Sequence, residues 1–319
     1  MKKMRIDPHV HCRDWNQSHK ATIKDVVSLA KENGVDIVFD MPNTDPPIIS
    51  GELVEKRLAT AKEEDCLENY FIYIGVTKDP RQIMEAVNVV HNNKRVIGMK
   101  MFAGRSVGSI SVINEKDQAV VYKTLADAGY KGVLAVHCEK ESLFRMDLWD
   151  PAKPASWNRA RPNAAEAESV KDQIRLAKEA GFKGTIHVCH TSTPEAVEII
   201  NGARKEMKIV CGVTPHHLLF CEDDVVKQGL MLKVNPPIRD AKTRDGLMLA
   251  LRQGKIDWIE TDHAPHTTQE KLNPPYMSGI RSLELYQKLL ETLRRDGFTE
   301  SQIDDMTFNN IVRTFKLNF

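Results

Sequence analysis

Short apolar runs rich in β-branched residues alternate along this chain with longer stretches in which apolar residues recur at helical spacing. The apolar runs predict eight strands, at 4–11, 36–41, 70–76, 95–101, 132–137, 184–190, 208–213 and 256–261. The longer stretches predict helices at 22–33, 51–64, 80–92, 115–128, 164–180, 194–206 and 241–253. Such repeated β–α units are typical of a parallel sheet with helices packed against it.

The number and order of these elements decide between two α/β architectures. Eight strands, each followed by a helix, predict one (β/α)₈ TIM barrel that spans residues 1–319 as a single catalytic domain. An open, doubly wound sheet is the alternative, but no glycine-rich phosphate turn follows an early strand and no Walker-type Gly-Lys-Ser/Thr occurs. Active sites of such barrels lie at the carboxyl ends of the strands, so chemistry is expected there.

The composition indicates which classes of partner the protein binds and in which compartment it is found. The 45 Lys and Arg residues balance 44 Asp and Glu residues, so the basic surface typical of nucleic-acid binding is not expected. No apolar run approaches the roughly 18 residues of a membrane span, and the N-terminus does not resemble a signal peptide. Six cysteines are too few for a disulfide framework. We therefore expect a cytoplasmic protein with reduced, packed thiols and a small-molecule partner, bound neither to nucleic acid nor to a membrane.

Polar side chains cluster where the predicted strands end. His9 and His11 are two residues apart on the first strand, so both rings project from the same side. Lys100 lies near the end of the fourth strand, while the fifth, sixth and eighth end at or just before His137, His190 and Asp262. Because these ends converge in a barrel, the pattern brings six potential ligands or bases to one face, and the four histidines with the aspartate predict a metal site there.

The types of these residues bear on the metal and on one unusual position. Imidazole and carboxylate ligands without organised cysteine pairs favour Zn²⁺, with Mn²⁺, Co²⁺ and Fe²⁺ as alternatives. Lys100 is unusual, because an ammonium between apolar neighbours on an inner strand is costly to desolvate and repels a cation. A lysine that faces outward at a strand edge is the alternative at this position. For Asp262 the alternative is a helix N-cap.

The motifs around these residues resemble those of the dihydroorotase family, in family order from residue 7 to residue 266. They are Asp7-x-His9-x-His11-x-Arg13, Met41-Pro42-Asn43-Thr44, Lys100, Val136-His137-Cys138-Glu139, His187-Val188-Cys189-His190-Thr191-Ser192-Thr193, Lys233-Val234-Asn235-Pro236-Pro237-Ile238-Arg239 and Thr261-Asp262-His263-Ala264-Pro265-His266.

The resemblance implies a metal-dependent (β/α)₈ barrel of the amidohydrolase superfamily. By this resemblance Lys100 is carboxylated and bridges two Zn²⁺ ions, His9 and His11 hold the first ion with Asp262, and His137 and His190 hold the second. The implied reaction is the reversible cyclisation of N-carbamoyl-L-aspartate to L-dihydroorotate in de novo pyrimidine biosynthesis. A metal-activated hydroxide would attack the ring carbonyl, and Asp262 would act as general acid and base.

Four further residues are expected to bind the substrate. Arg13 falls on the same face as His9 and His11 if the extended geometry continues, where its guanidinium suits a carboxylate. By the resemblance, Asn43 and His266 bind that carboxylate and Asn235 contacts the pyrimidine ring. The alternative for Asn43 and Asn235 is an ordinary turn, because prolines follow both closely.

The remaining histidines and loops carry weaker expectations. We interpret His187, His216, His217 and His263 as structural histidines with satisfied ring nitrogens, and Trp258 as barrel packing. The polar segments 150–163 and 267–278 are long enough to act as lids over the barrel mouth.

The chain also departs from the family pattern. It is expected to be a barrel-only form without the flanking β-sandwich of many relatives, and the segments 14–19 and 279–284 lack the usual family residues. Two alternatives stay open: another cyclic amidohydrolase of the allantoinase or hydantoinase/dihydropyrimidinase type, or a non-catalytic barrel subunit of a biosynthetic assembly. The sequence also leaves open a homo-oligomer and an association with aspartate transcarbamoylase.

Overall fold

Eight parallel strands form the centre of the fold in the computed structural model, which describes residues 3–105 and 110–318. Each strand pairs with the next one along the chain. The strands are β1 (Ile6–Val10), β2 (Ile37–Asp40), β3 (Tyr70–Gly75), β4 (Val96–Ala103), β5 (Val133–Cys138), β6 (Thr185–Val188), β7 (Ile209–Val213) and β8 (Trp258–Ile259). The amide of Asp262 donates to the carbonyl of His9 at 2.9 Å, which joins the last strand to the first. The predicted (β/α)₈ barrel is confirmed.

Helices surround the strands and account for all seven predicted helical stretches. They are α1 (Ile23–Glu32), α2 (Gly51–Glu63), α3 (Pro80–Asn92), α4 (Glu115–Asp127), α5 (Ser156–Ala160), α6 (Asn163–Ala180), α7 (Pro194–Ala203), α8 (Pro215–Leu219), α9 (Glu222–Gln228), α10 (Ala241–Arg252), α11 (Thr268–Leu272), α12 (Tyr286–Arg295), α13 (Glu300–Asp304) and α14 (Asn310–Phe315). Polar side chains begin many of them: the Thr22 hydroxyl accepts from the amide of Asp25 at the start of α1. No helix among the described residues is long and apolar enough to span a membrane.

Two apolar layers hold the barrel together. One fills the space between sheet and helices, and the other fills the interior of the barrel. In the interior, Phe39, Tyr73 and Trp258 are fully buried, and the ring of Phe315 from α14 packs against all three from below. The expectation that Trp258 packs in the barrel is thereby confirmed. This packed lower interior leaves the polar residues at the opposite end of the strands.

The sixth and eighth strands are shorter than the sequence pattern predicts. They end at Val188 and Ile259, so His190 lies beyond the sheet rather than at its last position, and Asp262 lies three residues rather than one beyond the eighth strand. Both residues have left-handed backbones, with φ of 39° for His190 and 49° for Asp262. Non-glycine residues seldom adopt this conformation, and it is found most often where a site requires it. Here it turns the chain off the strand and directs both side chains into the barrel mouth.

Several helices fall outside the sequence pattern. The segment 150–163 contains α5, and the segment 267–278 contains α11, so neither is a simple loop. The pattern also misses the helices that follow β7 directly and those after residue 285. Most of these are only one or two turns long, which is too short for helical periodicity to be distinguished from chance.

Candidate active site at the mouth of the barrel

Two histidines and an aspartate meet where β1 and β8 end. Nε2 of His9 lies 3.2 Å and Nε2 of His11 lies 2.9 Å from the same oxygen, Oδ1 of Asp262. All three side chains are buried, and each offers a ligand atom within 4.8 Å of the others. The structure therefore brings together the residues that the sequence predicts for a first metal position.

A second pair of imidazoles lies beside the first group. Nδ1 of His137, on β5, faces Nε2 of His190 at 3.1 Å. The ring of His190 also lies next to that of His9, with centroids 5.2 Å apart. Four histidines from three strand ends thus line one cavity together with Asp262.

Three of these imidazoles have an oxygen facing the ring nitrogen that points away from the cavity. Oδ1 of Asn43 lies 2.6 Å from Nδ1 of His11. A carboxylate oxygen of Glu139 lies 3.1 Å from Nε2 of His137. Nδ1 of His9 faces Oε1 of Glu260 at 3.5 Å. An oxygen on the outer nitrogen is typical of metal-binding histidines, because it fixes the tautomer and orients the ring.

The donor atoms fit a divalent metal. Nitrogens and oxygens bound to one tetrahedral ion at about 2.0–2.1 Å are about 3.3 Å from one another. The separations of 2.9 and 3.2 Å around Asp262, and 3.1 Å between His137 and His190, are close to that spacing. Carboxylate and imidazole donors suit Zn²⁺ and other first-row ions.

Burial and neighbouring groups adjust the protonation of these donors. Burial alone raises the pKa of Asp262, but His9 and a hydrogen bond from His11 offset it and hold that pKa well below its usual range. Burial and the proximity of His137 hold the pKa of His190 well below its usual range. Burial lowers the pKa of His11 to about 4. An ionised carboxylate and the neutral imidazoles of His11 and His190 are the forms that bind metals. For His9, burial lowers the pKa, but the neighbouring Asp262 carboxylate offsets this and raises that pKa well above its usual range.

Lys100 is on β4 and points into the barrel rather than outward. Its side chain is fully buried, and Nζ lies 3.1 Å from Sγ of Cys189. Phe102 lies beneath the ammonium, with its ring centroid 5.0 Å from Nζ. No ion pair with a carboxylate is found for Lys100 among the described residues. The alternative of an outward-facing lysine at a strand edge is therefore wrong.

Arg13 forms the opposite wall of the cavity. The residue is 1% exposed, and its guanidinium reaches Pro265 O at 3.4 Å and Nε2 of His266 at 3.5 Å. Burial lowers the pKa of Arg13 to about 10, and burial beside Arg13 and Lys20 lowers that of His266 to about 2. A cationic guanidinium and a neutral imidazole thus lie together, without a carboxylate in contact with Arg13 in the described part of the chain.

The cavity between these walls is narrow. Its volume is about 20 Å³, which suits roughly one water molecule. Asn235 lines it, and the indole nitrogen of Trp157 donates to Oδ1 of Asn235 and to the carbonyl of Val234, both at 3.0 Å. Trp157 belongs to α5, so the segment 150–163 contacts a residue of the cavity wall, and its role as a lid stays a prediction.

The histidines outside the predicted metal set differ in whether their ring nitrogens have partners. His217 contacts the Thr214 hydroxyl at 2.8 Å and Pro236 O at 3.1 Å. Nδ1 of His263 accepts from the amide of Leu283, and Nε2 of His187 lies 2.7 Å from Glu260. His216 is buried, yet neither of its ring nitrogens has a hydrogen-bond partner within the described ranges. The expectation of a satisfied histidine is therefore wrong for His216.

Sequence reasoning missed several polar residues that support the site. Glu139, Cys189 and Glu260 are buried and contact predicted metal ligands or Lys100. Arg161 pairs with both oxygens of Glu139, and its Nε lies 3.0 Å from Oε1. The sequence did contain one signal that could have identified some of them, namely a charged residue directly after an otherwise apolar strand. That signal marks Glu139 and Glu260, whereas the cysteine resembles any packed thiol.

Comparisons with known proteins agree with this geometry. No protein-family model matches the chain. The dihydroorotase of Fusobacterium nucleatum is 31% identical over 330 residues, which cover 98% of the chain and 73% of that protein. The dihydroorotase of Shouchella clausii is 33% identical over 324 residues, with 98% and 73% coverage.

Solved structures show the same barrel. The L-hydantoinase (dihydropyrimidinase) of Arthrobacter aurescens superposes with a TM-score of 0.86 at 22% identity, covering 98% of the chain and 70% of that structure. A dihydroorotase from Saccharomyces cerevisiae, in complex with 5-fluoroorotic acid, superposes with a TM-score of 0.80 at 20% identity, covering 99% and 84%. The structural likeness establishes the fold, and the sequence relatives establish the family. The chain belongs to the dihydroorotase family of cyclic amidohydrolases.

Proposed function

We propose that the chain is a zinc-dependent dihydroorotase that interconverts N-carbamoyl-L-aspartate and L-dihydroorotate. The observation that carries this proposal is the position of Arg13. Its buried guanidinium lines the same cavity as the four imidazoles and Asp262. A cyclic amide that also bears a carboxylate matches such a cavity, because the carboxylate pairs with the arginine while the ring amide lies against the metal ligands.

The proposed metal centre holds two Zn²⁺ ions. His9, His11 and Asp262 would hold one ion, and His137 and His190 the other, with carboxylated Lys100 between them. The buried ammonium of Lys100 supports carboxylation, since adding CO₂ replaces a costly cation with an anion that two metals stabilise. When bound, the ions would polarise the ring carbonyl and lower the pKa of water.

The residues of the chain then act on the substrate and on one proton. Arg13, Asn43 and His266 hold the carboxylate, while Asn235 orients the ring. During ring opening, water adds to the ring carbonyl, and Oδ1 of Asp262 accepts its proton. Asp262 then gives this proton to the ring nitrogen as the C–N bond breaks. Ring closure follows the same steps in reverse.

The first test is turnover by the purified chain. Metal-free protein would be reloaded with Zn²⁺, with and without bicarbonate, and the loss of L-dihydroorotate followed by its ultraviolet absorbance. Dihydrouracil and allantoin are the neutral controls. We expect turnover of dihydroorotate alone, dependent on metal and faster with bicarbonate. Turnover of the neutral rings instead would assign the chain to a hydantoinase-like activity.

Two further arms test the parts of the proposal separately. Protein reloaded with ¹³C-bicarbonate should show a carbamate carbon signal that is absent from Lys100→Met. Inactive but metal-loaded protein would be assayed again with aspartate transcarbamoylase, because activity gained on mixing would identify a required partner. Continued inactivity would favour the non-catalytic barrel.

A further inference from the structure

Glu260 is a buried carboxylate for which the proposed reaction has no use. It follows β8 directly, two residues before Asp262, and is completely inaccessible to solvent. Its Oε1 accepts a short hydrogen bond from the backbone amide of His190. Its Oε2 accepts from the indole nitrogen of Trp258 at 2.8 Å and lies 2.7 Å from Nε2 of His187. A buried charge with this many contacts is held in one position.

The same carboxylate reaches both groups of metal-binding histidines. Oε1 lies 3.5 Å from Nδ1 of His9, whose Nε2 faces Asp262. The residue whose amide donates to Oε1 is His190, whose own Nε2 faces His137. Glu260 therefore contacts the ring of a ligand in one group and the backbone of a ligand in the other.

These contacts have a definite consequence for each ligand. A carboxylate beside Nδ1 of His9 favours the tautomer that carries its proton there and leaves the Nε2 lone pair toward the cavity. For His190, the hydrogen bond holds the backbone amide of a residue whose φ is 39°. Holding a left-handed backbone in place requires such contacts from the surroundings.

A glycine on the neighbouring strand makes room for the Glu260 carboxylate. A methyl group added at Gly212, on the neighbouring strand β7, would lie 2.3 Å from Oε2. The glycine thus provides the space that the carboxylate occupies, with Trp258 and His187 closing it from the side.

We propose that Glu260 is a positioning residue that orients His9 and His190 together, so that one carboxylate sets the metal affinity of both positions in the barrel mouth. The inference rests on the proposed metal centre. It adds a residue outside the predicted site, and this residue would connect the two metal positions through their histidines, in addition to the proposed bridge by carboxylated Lys100.

The test measures metal affinity rather than turnover. Metal-free wild type and Glu260→Gln would be titrated with Zn²⁺ against a chelating dye, and unfolding of the metal-free proteins followed by circular dichroism. We expect both affinities to fall about 10- to 100-fold in the variant, as for other outer partners of metal-bound histidines. Glutamine has nearly the same side-chain volume as glutamate. Its amide NH₂ is a donor, however, and would face the N–H donors that the Glu260 oxygens accept from.

A matched control distinguishes positioning from general stability. Asp257→Asn removes a charge at the other end of β8, where Asp257 pairs with Arg204 and accepts from the amide of Cys211 at 2.8 Å. This variant should lose stability and keep both wild-type metal affinities. Equal metal affinities in Glu260→Gln and wild type would overturn the inference, and so would an equal loss in the two variants.

Two additional measurements cover a variant that does not fold. Gly212→Ala should displace the carboxylate of Glu260 without removing its charge. It should therefore lower the metal affinity of both positions, as Glu260→Gln does. In unmodified, zinc-loaded protein, nitrogen NMR should show His9 protonated at Nδ1, and coordination through Nδ1 would contradict the inference. A wild type that binds no metal would overturn the proposed function and this inference together, whereas the other outcomes affect the inference alone.

Discussion

Nε2 of His11 lies 2.9 Å from Oδ1 of Asp262, although 251 positions separate the two residues in the chain. Closure of the barrel produces this contact, because the backbone of Asp262 is bonded to His9 and that of His11 to His263. The pair is thus positioned by main-chain hydrogen bonds between the first and last strand ends. It places the proposed proton carrier against a proposed metal ligand.

Asp262→Asn should remove the proton carrier while keeping the shape of the site. We expect turnover of L-dihydroorotate to fall by about 10²- to 10⁴-fold, the usual contribution of a positioned acid and base. Zinc content measured on the same sample shows how much of the loss comes from weaker metal binding. Asp257→Asn is the control, and turnover within tenfold of wild type in Asp262→Asn would contradict the assigned role.

The sequence predicts the barrel well, because its evidence is local and repeated. Apolar runs that alternate with amphipathic stretches need no knowledge of long-range contacts, and several helix starts carry a side-chain cap. The strand ends are less predictable. His190 and Asp262 leave the sheet early because their backbones are left-handed, and this conformation depends on tertiary hydrogen bonds rather than on local preference.

The difference between local signals and tertiary contacts also decides which parts of the candidate site the sequence predicts. The spacing of His9 and His11 is a local signal, and the converging strand ends account for the remaining predicted ligands. The supporting residue Glu260 acts across the barrel on His9, a partner that could not be identified from sequence position, whereas Glu139 contacts His137 only two positions earlier. Asn43 shows how far the sequence can assign a role, because the structure places its oxygen 2.6 Å from Nδ1 of His11, a contact that the sequence does not predict. The prediction that it binds a substrate carboxylate stays a prediction.

Arg13→Met should separate substrates that carry a carboxylate from those that do not. The substrate anion would be left in a buried cavity without its cation, and removing one partner of a buried pair costs about 3–5 kcal/mol. We expect kcat/KM for L-dihydroorotate to fall by at least about 10²-fold, mostly through KM. Any slow turnover of dihydrouracil should stay unchanged. Arg159→Met, an exposed arginine of α5, is the control.

Equal losses for the charged and the neutral ring in Arg13→Met would contradict carboxylate recognition by this residue. The same result would strengthen the case for a neutral-ring substrate. Steady-state kinetics on both rings, at matched zinc content, distinguish these outcomes.

Arg57→Met should destabilise the barrel strongly. The guanidinium is fully buried on α2 and contacts Asp40 at 2.8 Å and Asp14 at 3.0 Å. It also donates to the carbonyl of Cys12 at 2.9 Å, so it contacts the backbone before Arg13 and the carboxylate after it. Removing it leaves two buried carboxylates without their cation, which should lower the free energy of unfolding by about 3–5 kcal/mol.

Urea denaturation of metal-free protein measures this loss. Arg95→Met removes an arginine that is paired with the exposed Glu68 at 3.4 Å, and it should cost less than about 1 kcal/mol. Similar losses in the two variants would mean that the buried network around Arg57 adds nothing beyond a surface ion pair.

Lys271 should make stability increase with pH above neutrality. Burial lowers the pKa of Lys271 to about 7, and its Nζ donates to the carbonyls of Lys233, at 3.0 Å, and Gly279. The unfolded lysine has a pKa of about 10.4, so between these values the unfolded chain binds more protons than the folded chain. The free energy of unfolding therefore rises with pH across this window, and the rise ends near the unfolded pKa.

Lys271→Met lacks this titration, which makes the difference between wild type and variant the quantity to measure. Urea denaturation at pH 7 and pH 9 should show wild type gaining about 2 kcal/mol relative to the variant. Lys183→Met, an exposed lysine, corrects for general effects of pH and should show no such change. A constant difference between wild type and Lys271→Met would mean that the buried amine keeps its proton in this range. The segment from residue 267 to 279 would then be held by a buried cation that donates to two carbonyls, beside the hydrogen bond from the amide of Gly279 to the carbonyl of Lys233.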